Sequence, residues 1–418
     1  MSPNRHRPSD DRTRRQVLAA GGVALATSLS ALTSGCLSSL PPLGDNRAYA
    51  RVDVPSAADP TYRTWLPAPE SLDPPADQYA FSAMQPASPR PGAQETFVSA
   101  HARQKCHVDY FGIGFENYDR TIDSVFGTVI EATFDRTSAT QTAIDSGYEP
   151  AGEYRDYTVL DRMDIPRRVA IGDGVIVWTS EQRHDRPHLE ALIDANAGTR
   201  PRYHEESPEF DQLTTAAGEN PLLMIATDSR DPTDAKAMSA GAYRFDADTA
   251  YHVVHYQYTS DRVPTESELK TALEEGTSPS PFTENPATLD VQIEDTLATV
   301  EAKRPLDSTA ELAPEYELPQ VTWSGTHDPD TGTVRFRHEA GESVPASRLY
   351  YDVNGSDDFG EVEKQPLWAD TGTVSPGADA NIDLSDHSNA RGISLVYSTG
   401  GVHFVVLTYV DLQGAHDD

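Results

Sequence analysis

Val169-Ala170-Ile171-Gly172-Asp173-Gly174-Val175-Ile176-Val177-Trp178 is the stretch on which the reading of the fold turns. Two short, apolar, largely β-branched runs flank a Gly-Asp-Gly turn, a pattern that predicts a β-hairpin. Downstream, residues 186–196 read as a helix, with Pro187 near its first turn, Leu189, Leu192 and Ile193 on one face and Gly198 past its end. Upstream, residues 148–160 read as a strand or hairpin and 137–146 as a helix stopped by Gly147. Residues 129–134 alternate as a strand. Residues 118–126 read as a short helix through Ile122, Val125 and Phe126, and 107–114 as a strand.

The resulting β-α-β-β-α order suggests a split β-α-β, ferredoxin-like unit. A second series follows: strands at 222–227 and 250–258, a helix at 265–275 and a long hairpin at 289–303. Thr142-Ala143-Ile144-Asp145-Ser146-Gly147 and Thr271-Ala272-Leu273-Glu274-Glu275-Gly276 match closely in position and character, which raises an internal duplication with halves at 101–205 and 220–305. Residues 306–319 are a Pro- and Glu-rich linker. Residues 320–412 show regular short strands separated by turns such as Asp328-Pro329-Asp330-Thr331-Gly332, the pattern of a β-sandwich. The expected class is α+β: a duplicated ferredoxin-like region at 101–305, then an immunoglobulin-like sandwich.

The C-terminal stretch Val334-Arg335-Phe336-Arg337-His338-Glu339-Ala340-Gly341, continuing to Leu349, resembles the β-domain of haloarchaeal type IV pilin-like proteins. Gly372-Thr373-Val374-Ser375-Pro376-Gly377 and Tyr397-Ser398-Thr399-Gly400 fit its second half. The leader has no prepilin signal and no long apolar helix, so the resemblance implies a reused module rather than a pilin subunit.

Thr13-Arg14-Arg15-Gln16-Val17-Leu18 precedes a weakly apolar segment that ends in Leu32-Thr33-Ser34-Gly35-Cys36. The segment is too short and too rich in Ala, Gly and Ser to be a membrane span. The layout resembles a twin-arginine signal fused to a lipobox. It implies a signal peptide at 1–35 with Arg14 and Arg15 as the export signal, export in a folded state, and a lipid on Cys36. Residues 36–100 would then be a tether and an irregular lead-in, placing the protein at the extracellular face of the cytoplasmic membrane.

The chain carries 66 acidic and 33 basic residues, a net charge of −33. Without the leader it has 28 bases against 64 acids, a charge of −36, and lysine occurs only at 105, 236, 270, 303 and 364. This composition resembles that of proteins from extreme halophiles. Self-repulsion on this scale loosens a compact state in dilute buffer. Molar salt shortens the screening length to about 3 Å and relieves it. No basic patch is present to neutralise phosphates, which argues against nucleic acid as a partner.

Two cysteines make no disulfide framework. His101, Cys106, His107 and Asp109 lie within nine residues, with Cys106 and His107 as candidate metal ligands, although a buried structural cysteine is the blander reading. His184 and His188, His252 and His255, and the Asp228, Asp231, Asp234 and Asp328, Asp330 clusters lack ligand geometry or spacing. Asn354-Gly355-Ser356 is a glycosylation sequon in a predicted turn. No catalytic motif is present, so no catalytic residue and no cofactor are assigned.

The sequence thus reads as a lipid-anchored extracellular binding or structural module of a halophilic archaeal surface, its partner an envelope protein or a small ligand. The alternative is an extracytoplasmic enzyme or metal-dependent factor exported folded. Cell fractionation tests the address: Cys36→Ser is expected to release the protein into the medium, and Arg14→Lys with Arg15→Lys to hold an uncleaved precursor inside the cell.

Overall fold

The computed structural model describes residues 48–75, 80–87, 95–227, 236–260, 262–274, 288–306, 312–313, 316–354, 365–369, 372–385, 387, 390–400 and 403–412. Arg14, Arg15 and Cys36 lie outside them.

One thirteen-stranded sheet dominates the chain. Its strands are β1 (Ala48–Tyr49), β2 (Phe81–Met84), β3 (Tyr118–Ser124), β4 (Gly127–Ala132), β5 (Glu149–Tyr154), β6 (Tyr157–Arg162) and β7 (Arg167–Ile171). They continue with β8 (Val175–Ser180), β9 (Leu222–Ala226), β10 (Lys236–Phe245), β11 (Thr249–Tyr258), β12 (Thr288–Glu294) and β13 (Leu297–Pro305). The order is β1-β12-β13-β11-β10-β9-β2-β3-β4-β8-β7-β6-β5. Every pairing is antiparallel except β1 on β12. The hairpin expected at 169–178 is β7–β8, with Ile171 opposite Ile176 and Gly174 at φ +72°.

The helices are α1 (Glu95–His107), α2 (Arg136–Asp145), α3 (Leu189–Asn196), α4 (Tyr203–Glu206), α5 (Pro208–Ala217) and α6 (Glu266–Glu274). One face of the sheet receives Phe97 and Val98 of α1 and Ala139 and Ala143 of α2, against Ile130, Val169, Ile171 and Trp178. The other receives Leu189, Leu192 and Ile193 of α3 and Phe210 and Leu213 of α5, against Val129, Ala170 and Val177. Leu269 and Leu273 of α6 cover Val254, Val291 and Val300. Tyr243 belongs to the first face and stacks on His252, which shares a side of β11 with Val254, so α6 lies on the same face as α1 and α2. Burial on both faces explains why β7 and β8 read as unbroken apolar runs.

This architecture corrects the α+β, duplicated ferredoxin-like expectation. The α2 connection carries the chain from β4 to β5 with β8, β7 and β6 between them, and α6 carries it from β11 to β12 with only β13 between. The two regions then merge through β2, which pairs with β9 on one side and β3 on the other. Residues 118–124 form a strand, not a helix: the spacing of Ile122, Val125 and Phe126 imitates a helical face, but Ser124 closes a tight hairpin onto Gly127. Residues 95–107 form a helix, so the strand expected from 107 does not exist.

The C-terminal strands are β14 (Val321–Asp328), β15 (Thr333–Gly341), β16 (Val344–Pro345), β17 (Leu349–Asn354), β18 (Gln365–Pro366), β19 (Thr373–Val374), β20 (Asp379–Asp383), β21 (Gly392–Gly400) and β22 (His403–Asp411). They make three sheets, β14-β15-β20, β16-β19 and β18-β17-β21-β22, rather than an immunoglobulin-like pair. Trp323, Phe336, Leu349, Ile393 and Leu395 fill their shared core, and Ala102 and Cys106 of α1 complete it. Residues from the first region therefore finish the core of the second.

Two histidines sit back to back in β11. His252 is 0% and His255 5% exposed, and His255 Nδ1 lies 3.0 Å from Thr299 Oγ1. Burial pushes them down, His252 to about 3 and His255 to about 4. Neutral in the fold and protonated below about 6.5 when unfolded, they contribute stability present above that pH and lost as pH falls towards 4 and 3. Denaturation measured between pH 7 and 5 at constant salt is expected to show this loss, with a shallower slope in His255→Thr.

Candidate functional site

The C-terminal end of α1 enters the seam between the large sheet and the C-terminal strands. Two polar residues inside this helix are buried and partnered: His101 Nε2 lies 3.1 Å from Pro86 O, and Gln104 accepts from Thr121 Oγ1 at 2.6 Å and donates to Ser82 Oγ at 3.2 Å. Just past the helix, Asp109 is 4% exposed and accepts three hydrogen bonds from two donors. These are the Tyr148 hydroxyl at 2.6 Å and Arg167 Nη1 at 2.8 and 3.0 Å. Arg167 in turn donates through Nη2 to Trp323 O at 2.8 Å and through Nε to Ile165 O at 3.2 Å, while Trp178 Nε1 donates to the Tyr148 oxygen at 3.0 Å. Burial, reinforced by the Asp109 charge, holds the Tyr148 hydroxyl well above its usual range. The network runs unbroken from the large sheet through a buried ion pair to the backbone of β14.

Neighbouring contacts extend the seam. Arg162 donates to Asp164 at 2.6 and 2.9 Å and to Ser146 O, and Tyr110 N donates to Thr322 Oγ1 at 2.9 Å. Burial works against the Asp164 carboxylate, but the Arg162 hydrogen bonds and the Arg167 charge outweigh it and lower its pKa. Gln320 Nε2 donates to the Tyr118 hydroxyl at 2.8 Å, and Gln182 donates to Tyr409 O. Lys105 reaches Glu342 at 2.7 Å and Glu116 at 3.3 Å.

Cys106 and His107, the candidate metal ligands, line a small cavity in this seam together with Asp109. Cys106 Sγ donates to Arg103 O at 3.3 Å, and burial pushes its thiol up to about 12. Burial, with Arg183 and Arg103 nearby, holds His107 well below its usual range. A cysteine ligates metal as its thiolate, and among the described residues no group of three His, Cys, Asp or Glu side chains could hold an ion. Asp109 is already saturated by Tyr148 and Arg167.

The other sequence candidates separate. His184 accepts from Ser180 N at 2.9 Å and lies 3.1 Å from Thr128 Oγ1, whereas His188 precedes α3 beside Glu190. Asp328 accepts from Asp330 N and Thr331 N as a turn. Asn354 ends β17, and Gly355, Ser356, Asp228, Asp231 and Asp234 lie outside the described residues.

Beside the seam lies a groove of about 730 Å³ that sequence reasoning did not find. One wall is the open end of the β5–β6 hairpin, Glu149-Pro150-Ala151 and Asp161-Arg162, with Met163 and Asp164 of the turn that follows β6; the other is the outer face of β14–β15. In β15, Val334 and Phe336 point into the core, while Arg335, Arg337 and Glu339 line the groove, as strand alternation requires. Arg335 pairs with Asp379 at 3.1 Å, Arg337 with Glu339 at 3.3 Å, and Ser324 donates to Glu339 at 2.6 Å. Met163, 78% exposed, stands on the rim. Edge strand β5 is blunted by Pro150, a bulge before Gly152, and Glu149 and Glu153, which disfavours strand addition there. The available signal was the charged, apolar alternation of Arg335-Phe336-Arg337.

No protein-family model and no curated protein matches the chain. Crystal forms III and I of TP0453 are similar to it at TM-scores of 0.33 and 0.36 and identities of 10% and 9%. Each alignment spans 60% of this chain and 96% or 95% of that one. Likeness at this level carries no argument about function.

Asp109→Asn leaves the buried Arg167 charge without its counter-ion and is expected to cost about 3–5 kcal/mol. Adding Arg167→Met should recover part of that loss. Additive losses in a denaturant double-mutant cycle would show that the pair is not coupled.

Proposed function

We propose that this protein is a lipid-anchored module of the extracellular membrane face that uses the groove beside the seam to bind a polar partner in concentrated salt. The observation that carries this reading is the groove itself: a preformed concavity lined by both charge signs, with walls supplied by two regions joined through a buried polar network. Concave surfaces with a few convergent polar groups are the usual sites of recognition. The leader and lipobox resemblance supports the location, and the acidic composition supports the solvent. The surrounding sheet then serves as a scaffold that fixes the groove.

A photo-crosslinking residue in place of Met163 tests this in intact cells under native salt, with mass spectrometry of the adducts. A discrete, reproducible adduct absent from an equivalent probe at exposed Asp53 is the expected result. The same background adducts at both positions would overturn the groove as the contact surface.

A further inference from the structure

The two arginines of β15 that line the groove are tethered in a way that leaves their forks open. Arg335 donates through Nε to Asp379 at 3.1 Å, and Arg337 Nε lies 3.3 Å from Glu339. Among the described residues the Nη groups of both make no hydrogen bond, and their side chains are 47% and 43% exposed. With Nε occupied, the two Nη groups remain, an end-on fork that can hold a carboxylate by two parallel bonds. The other charges of the groove are mostly engaged. Arg162 serves Asp164 and Ser146 O, Arg168 donates to Asp161 at 3.0 Å, and Glu339 accepts from Ser324. Glu149 makes no ion pair among the described residues, and it stands on the wall that also carries Pro150, Ala151 and Met163.

Arg335 and Arg337 are alternate residues of one strand, so they repeat at about 6.8 Å along it. Carboxylates at alternate positions of a second extended chain repeat at the same spacing, because both chains share the pleat. Resting on the groove as the contact surface, we infer that the partner enters it as an extended peptide segment whose side chains run acidic, apolar, acidic. Its two carboxylates meet the forks of Arg335 and Arg337, and the residue between them turns to Pro150, Ala151 and Met163. Glu149 repels a carboxylate turned the other way, which fixes the facing of the segment. The segment lies across the face of β15, since both edges of that strand are already paired, with β14 and β20. In molar salt a charge is felt only within about 3 Å. Recognition there rests on direct contact, and a fork bonded to a carboxylate at about 2.7–2.9 Å lies within that reach.

The test uses the full chain in molar salt and two labelled, end-capped peptides of one composition, Glu-Val-Glu-Val and Glu-Glu-Val-Val. Only the first places carboxylates on alternate residues. Fluorescence anisotropy is expected to show the alternating peptide binding about tenfold tighter, and Arg335→Gln or Arg337→Gln to abolish that difference. Equal affinity of the wild type for the two peptides would overturn the inference, and so would a preference that survives in the double variant. Inorganic sulfate that binds with the same arginine dependence, while neither peptide does, would make the occupant a small anion and refute the peptide. The crosslink at Met163 does not depend on peptide pattern. A discrete adduct there without peptide discrimination would remove this inference and leave the groove standing, whereas background adducts alone would remove the groove itself.

Discussion

The ion pair between Asp109 and Arg167 is the constraint around which the two regions of this molecule are arranged. It lies where the end of α1, the start of β7 and the backbone of β14 converge, and every polar atom around it has been given a partner. A buried pair stabilises a fold only when its remaining hydrogen-bonding capacity is met. Here Tyr148, Trp178 and the carbonyls of Ile165 and Trp323 meet it, and they come from segments far apart in sequence. Moving the C-terminal strands away would leave the ion pair intact but deprive Arg167 Nη2 of its acceptor, the Trp323 carbonyl. The seam is thus specific as well as adhesive, because a shifted docking would leave a charged donor without a partner.

Inside and outside, this chain treats charge in opposite ways. The chain as a whole carries a large acidic excess, a repulsion that salt would screen, whereas the seam sets its Asp109 and Arg167 charges side by side and, being buried, is screened much less. Arginine suits the seam better than lysine, since its planar fork can serve a carboxylate and a carbonyl at once. Arg162, Arg167 and Arg183 all act in that way or through several acceptors. A chain with so few lysines keeps Lys105 for a comparable place, between Glu116 and Glu342.

What could be read from sequence was the local grammar. The Gly172-Asp173-Gly174 turn, helix α2 closed by Gly147 at φ +95°, and the β12–β13 hairpin each carry their signal within a dozen residues. Helix α1 hid because His101 and Gln104 lie on its buried side, satisfied by residues of β2, β3 and the turn after β2. Strand β3 hid because it is largely polar and its Ile122, with Val125 and Phe126 just beyond, falls at helical spacing. β10 was missed because small residues, Ala240 and Ala242, fill its buried positions and carry little apolar signal. The ion pair and the groove have no sequence spacing at all: Asp109 and Arg167 are 58 residues apart, and Trp323 lies a further 156 away.

The order of the sheet also sets a distance. Strand β1, where the described chain emerges on its way from the leader, lies at one edge, and β5, which walls the groove, lies at the other. Twelve inter-strand steps of about 4.8 Å separate them, about 58 Å measured along the sheet. On the proposed anchoring, the sheet acts as a boom, rooted at its first strand and carrying the groove at its tip. Whatever the groove meets would then be met a full sheet's width from the edge at which the chain is rooted, a separation set by strand count.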